Sequence, residues 1–321
     1  MPIHPAVAGK FPLIEGATSF EQLLFDPAYR DRFAEFNRPT AGGPPPVVPT
    51  RADSAPGPHG PVPVRVYAPE NAEGDRPCVV WMHGGAFRMG DLDMPEADWV
   101  ARELVTRAGA VVVSVDYRLA VGGVAHPVPL DDVVAAVRWT RDHATDLGVD
   151  RIHVGGASAG GNLAAGAALR LRDEDGWTPA SLVLAYPVLH PELPPPTPSL
   201  VARMAEVPPI LHFPPHEVRA ITENYVGGPV SRADGYAMPG LASLEGLCPT
   251  LLLTAEYDDL RGSGQVFVGQ LAAAGVDVRY AQVLSMLHGF LNLPSAIGPV
   301  GRALDLIAEA VATRAPAFVS T

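Results

Sequence analysis

Residues 152–165 read Ile152-His153-Val154-Gly155-Gly156-Ala157-Ser158-Ala159-Gly160-Gly161-Asn162-Leu163-Ala164-Ala165. A short apolar run enters a glycine-rich turn and leaves as a run of small residues, which reads as strand, sharp turn and helix. Gly156-Ala157-Ser158-Ala159-Gly160 fits the G-x-S-x-G pattern of a nucleophile elbow. There the serine sits in a strained turn at a helix N-terminus, and the flanking glycines let strand and helix approach each other. Alone, the same residues also describe a plain glycine-rich turn. A dinucleotide-binding loop fits less well, because no glycine pattern after the first strand is answered by an acidic residue at the next strand end.

Outward from this stretch, short apolar runs alternate with amphipathic ones. Strands are expected at Val62–Tyr67, Cys78–Met82, Ala110–Val115, Ile152–Val154, Ser181–Ala185, Thr250–Thr254 and Val276–Val283. Helices are expected at Met94–Ala108, Leu130–Leu147, Ala159–Arg172, Gly264–Ala274 and Val300–Thr313. Strands apolar throughout and separated by helices imply a parallel sheet covered on both faces. A further helix is expected over Ser19–Asn37 with Ser19 as N-cap, followed by the proline-rich linker Thr40–Pro46. A proline-rich excursion from about Pro187 to Leu247 interrupts the alternation, and so long an insertion reads as a lid or binding element.

Composition narrows the function classes. A net charge of −12 gives no basic footprint for nucleic acid. No apolar run is long enough to span a membrane, and Met1–Pro5 lacks the basic and apolar regions of a signal peptide, so a cytoplasmic protein is expected. Cys78 and Cys248 are expected as buried thiols. No paired-cysteine or histidine spacing suggests a metal site, and no cofactor is expected.

An acyl-transfer serine needs a base, an acid to orient it, and donors for a developing oxyanion. Thr250–Thr254 runs into Ala255-Glu256-Tyr257-Asp258-Asp259, and the next strand runs into Ser285-Met286-Leu287-His288-Gly289. An acid loop and a histidine thus follow Ser158 in the order used by hydrolases of this type, each at a strand's C-terminal end. Glu256, Asp258 and Asp259 all compete for the acid's place.

The chain resembles the hormone-sensitive-lipase-type bacterial carboxylesterases of the α/β-hydrolase superfamily. The resemblance rests on His83-Gly84-Gly85-Ala86-Phe87, Asp116-Tyr117-Arg118-Leu119-Ala120, Gly156–Gly161, Thr254-Ala255-Glu256-Tyr257-Asp258 and His288-Gly289-Phe290. It implies an α/β-hydrolase fold: a mostly parallel eight-stranded sheet with helices on both faces plus a helical cap. The implied division is an N-terminal cap segment (1–45), a first core part (46–186), a cap insertion (187–247) and a second core part (248–321). It also implies Ser158 as nucleophile, Asp258 as orienting acid and His288 as base, with Gly85, Ala86 and Ala159 as oxyanion donors and Gly84 in support. Departures from the family pattern are Ala157 for Asp or Thr, Asp259 for the proline after the acid, Gly262-Ser263 for an acidic pair, and Val121-Gly122-Gly123-Val124 for Pro-Glu.

The expected activity is serine-dependent hydrolysis of small, short-acyl carboxylic esters, rising through roughly pH 6.5 for an unperturbed histidine. The same residues would also serve amide hydrolysis, as in an arylformamidase or acyl-peptide hydrolase, or persist in a non-catalytic small-molecule receptor. The expected partner is a small ester, with no nucleic acid and no membrane span; a homodimer is compatible with this reading.

Overall fold

The computed structural model describes residues 2–18, 22–23, 26–38, 42–70 and 75–313. Eight strands form one sheet: β1 Thr50–Ala55, β2 Val62–Tyr67, β3 Arg76–Met82, β4 Val111–Val115, β5 Val149–Ala157, β6 Leu182–Ala185, β7 Thr250–Tyr257 and β8 Val278–Leu287. Their order across the sheet is β1-β2-β4-β3-β5-β6-β7-β8. All seven apolar runs expected as strands are present, and the sheet is mixed. β2 pairs antiparallel with both β1 and β4, whereas every pairing from β4 to β8 is parallel.

Side chains of β3 alternate between two apolar layers, as a pleated strand requires. Cys78, Val80 and Met82 join the layer that holds Val133 and Leu163, while Val79 and Trp81 join the layer that holds Leu104 and Ile307. The helices Val128–Asp142 and Ala159–Asp175 therefore cover one face, and Pro95–Ala108 and Gly298–Ala312 cover the other. With both faces covered, the central strands can be apolar throughout. Both cysteines are buried free thiols.

Three elements depart from expectation. β1, Thr-Arg-Ala-Asp-Ser-Ala, was not expected as a strand, because five of its six residues are exposed and it shows no apolar alternation. Backbone pairing to β2 from Thr50 to Ala55 holds it at the sheet edge. The helix expected over Leu130–Leu147 ends at Asp142, and a separate turn, Ala144–Leu147, follows. Of the N-terminal helix, Pro27–Asn37 is described and is capped by the Asp26 carboxylate, which accepts from the Ala28 N–H. The expected cap Ser19 lies outside the described residues.

Residues 187–247 leave the sheet after β6 and return at β7. They carry the helices Pro198–Met204 and Pro215–Val226. The second docks beside the loop after β3, where the Tyr225 and Phe87 rings stack 3.8 Å apart at 5°. Asn224 Nδ2 donates to the Ala120 carbonyl nearby at 2.9 Å. Among the described residues no helix is long and apolar enough to cross a membrane.

Candidate functional site

β5 ends at Ala157 and the helix Ala159–Asp175 follows, with Ser158 alone between them. Ser158 makes the reversal at φ 53°, ψ −117°, a region that costs a non-glycine residue of order 1–3 kcal/mol. The two glycines of the motif are sterically required. A Cβ on Gly156 would collide with the Gly160 backbone, and one on Gly160 with the carbonyl oxygens of Met82 and His83. The strain lifts the Ser158 hydroxyl clear of its own backbone at the start of a helix of 17 residues. Ala157, beneath it, is fully buried and its side chain carries no polar atom.

Three loops at the C-terminal ends of β5, β7 and β8 meet here. Ser158 Oγ lies 3.0 Å from His288 Nε2, and His288 Nδ1 donates to Asp258 Oδ2 at 2.8 Å. Asp258 is 1% exposed, and its other carboxylate oxygen accepts the Leu260 N–H at 2.9 Å. Burial alone would lower the pKa of His288. The Asp258 carboxylate, by charge and by hydrogen bond, together with the charges of Glu96 and Asp259, outweighs that, and the pKa lies above the ordinary 6.5. The hydrogen bond to Asp258 places the proton on Nδ1 and leaves the Nε2 lone pair facing the serine.

The three acids of the β7 loop have separate partners. Glu256 Oε2 accepts the Ser285 N–H at 2.7 Å, and Oε1 stands 3.1 Å from Arg203 Nη2. Asp258 turns to His288. Asp259 Oδ2 accepts the Phe213 N–H at 2.7 Å. Burial raises the pKa of Asp259, against the pull of the Phe213 amide and of His212.

On the other side of Ser158, the loop after β3 bends through three successive left-handed residues, Gly85 (φ 113°), Ala86 (φ 53°) and Phe87 (φ 62°). His83 braces it by stacking on Tyr117 at 4.5 Å and donating from Nδ1 to the Gly84 carbonyl at 2.7 Å. The Gly85 carbonyl accepts from the N–H groups of Arg88 and Met89, both at 3.0 Å. The N–H groups of Gly85 and Ala86 meet no acceptor among the described residues, nor does that of Ala159 in the first helical turn. The Gly84 N–H, in contrast, is spent on Glu96 Oε1 at 2.7 Å.

Glu96 escaped the sequence reading. It lies in the first turn of Pro95–Ala108, where an acidic residue ordinarily reads as a solvated dipole partner, yet it is 2% exposed. Its second oxygen accepts from the Tyr186 hydroxyl at 2.8 Å and from Asn292 Nδ2 at 3.2 Å. One carboxylate thus ties the loop after β3 to the loops after β6 and β8. Tyr186 and Phe213, also unforeseen, each place a ring edge-on to His288 at 4.9 Å and 4.7 Å.

The arrangement can make an oxygen nucleophile from a serine, shuttle its proton through an imidazole, and receive a negative charge on free amides. Comparison with known proteins finds hydrolases and esterases. A family model described as alpha/beta hydrolase fold matches residues 79–292. The carboxylesterase NlhH of Mycobacterium tuberculosis is 38% identical over 263 residues, 78% of this chain and 79% of its own. The ethyl acetate hydrolase of Pseudomonas putida is 30% identical over 261 residues, 78% of each chain. The esterase of the archaeon Pyrobaculum calidifontis, a solved structure, is 34% identical with a TM-score of 0.75, covering 84% of this chain and 86% of that one.

Proposed function

The chain belongs to the carboxylesterases of the α/β-hydrolase superfamily, of the hormone-sensitive-lipase type, and on that premise we propose that it hydrolyses small short-acyl esters through an acyl-enzyme on Ser158. The observation that carries the reading is the continuous relay from Ser158 through His288 to Asp258, at 3.0 Å and 2.8 Å. As Ser158 Oγ attacks the ester carbonyl, its proton passes to His288 Nε2, and the carbonyl π pair moves onto oxygen. The N–H groups of Gly85, Ala86 and Ala159 receive that oxyanion, with Gly84 holding the loop from behind. Collapse breaks the bond to the alcohol oxygen, which takes the proton from Nε2 and leaves. Water, deprotonated by the same nitrogen, then attacks the acyl carbonyl, and Ser158 departs with the proton returned.

Short acyl groups are favoured by the similarity to an ethyl acetate hydrolase. The insertion 187–247, with the segment 1–45, acts as the cap over the substrate. The test is hydrolysis of p-nitrophenyl acetate through decanoate by the parent and by Ser158→Ala, with mass spectrometry of the acid-quenched enzyme to detect the acylated serine. Activity should be highest on the shortest chains and absent in the variant. A parent inactive on every ester, or a Ser158→Ala variant with full turnover, would overturn the reading.

A further inference from the structure

Phe213 belongs to an irregular segment between the turn Pro209–Leu211 and the helix Pro215–Val226. Pro214 and Pro215 follow it and supply no N–H, so the segment has few backbone bonds of its own. What holds it beside the site is Asp259. Its Oδ2 takes the Phe213 amide at 2.7 Å and lies 3.5 Å from His212 Nδ1. This carboxylate is adjacent in sequence to the buried Asp258, where a second negative charge is costly, and its position carries proline in the family pattern. The contact it secures places the Phe213 ring 4.7 Å from the His288 imidazole at 63°.

We propose that Phe213 forms the wall of the subsite for the alcohol half of the ester and selects flat aryl leaving groups, with Asp259 as the positioning residue that holds it there. The proposal rests on the esterase reading above. In that chemistry the leaving oxygen takes its proton from His288 Nε2, so the departing alcohol stands beside the imidazole. A cap ring in contact with that imidazole therefore borders the leaving group. An aromatic wall favours a planar aromatic group over a puckered aliphatic one of similar size by roughly 3- to 10-fold.

The experiment measures kcat/KM for phenyl acetate and cyclohexyl acetate in the parent, Phe213→Leu, Asp259→Ala and Asp259→Asn. Comparing each variant's phenyl-to-cyclohexyl ratio with the parent's cancels the intrinsic difference in leaving-group reactivity. Phe213→Leu should lower the ratio by roughly 3- to 10-fold, and Asp259→Ala should lower it in the same direction with Phe213 still present. Asp259→Asn keeps an oxygen to accept the Phe213 amide and should restore the ratio to within about 2-fold of the parent. The ratio of p-nitrophenyl acetate to p-nitrophenyl hexanoate, which varies only the acyl side, should stay within about 2-fold throughout. An active Phe213→Leu with the parent's phenyl-to-cyclohexyl ratio would overturn the proposal, as would a change confined to the acyl ratio. Equal shifts in Asp259→Ala and Asp259→Asn would overturn the positioning role. A parent inactive on all these esters would instead remove the esterase reading itself.

Discussion

Glu96→Gln replaces one oxygen of a side chain that is 2% exposed and touches no substrate, yet three loops of the site depend on it. In the parent, one carboxylate oxygen accepts the Gly84 N–H and the other accepts from Tyr186 and Asn292. An amide keeps a single oxygen. If that oxygen stays with Gly84, the new NH2 can donate to the Tyr186 hydroxyl but faces the Asn292 NH2 as one donor against another. A hydrogen bond to a charged group contributes about 1.5–3 kcal/mol net, against about 0.5–1.5 for a neutral one. Weakening two such bonds by about 1–1.5 kcal/mol each and losing the third should cost about 3.5–6 kcal/mol of folding stability. Turnover should fall about 10-fold, because the Gly84 anchor survives but the loops it aligns are looser. Glu96→Ala strands the Gly84 N–H in a buried position, and the amides of Gly85 and Ala86 lose their backing. There the loss should approach the 10²–10³ expected for a missing oxyanion donor. The Glu96 charge also helps raise the pKa of His288, so Glu96→Gln should move the acid limb of activity to lower pH. The assay is kcat/KM for p-nitrophenyl acetate across pH, with guanidinium unfolding of each variant as the stability measure. A folded Glu96→Ala variant with the parent's kcat/KM at every pH would refute this account of the loop.

Two further outcomes follow from the geometry. The proposed mechanism requires neutral His288, whose pKa lies above 6.5, so the acid limb of kcat/KM should lie above pH 6.5 in the parent. Asp258→Asn removes the strongest influence that raises the imidazole pKa, so the limb should move to lower pH as turnover drops; a parent limb below pH 6.5 would contradict the shift. Gly85→Ala would place a Cβ against the Met89 carbonyl at a φ of 113°, so the loop must open and turnover should fall by about 10²–10³. A variant of parent activity would show that the loop amides are not the oxyanion donors.

The sequence by itself determined the alternation of apolar strands and amphipathic helices, and with it the place of the site. A buried parallel strand must be apolar on both faces, and a helix shows its buried side every third or fourth residue, so both are written in local periodicity. Ser158 was legible for a related reason, since a turn this tight admits only glycine where Gly156 and Gly160 stand. β1 was not legible, because an exposed edge strand held by backbone pairing leaves no apolar pattern. The partners of Glu256, Asp258 and Asp259 were decided by the tertiary structure. Three acids within four residues are locally alike, and they differ only in facing Ser285, His288 and Phe213. Glu96 is the sharpest case. Its neighbours Gly84, Tyr186 and Asn292 come from three loops that meet only once the sheet has formed, and burial reached through distant contacts has no local signature.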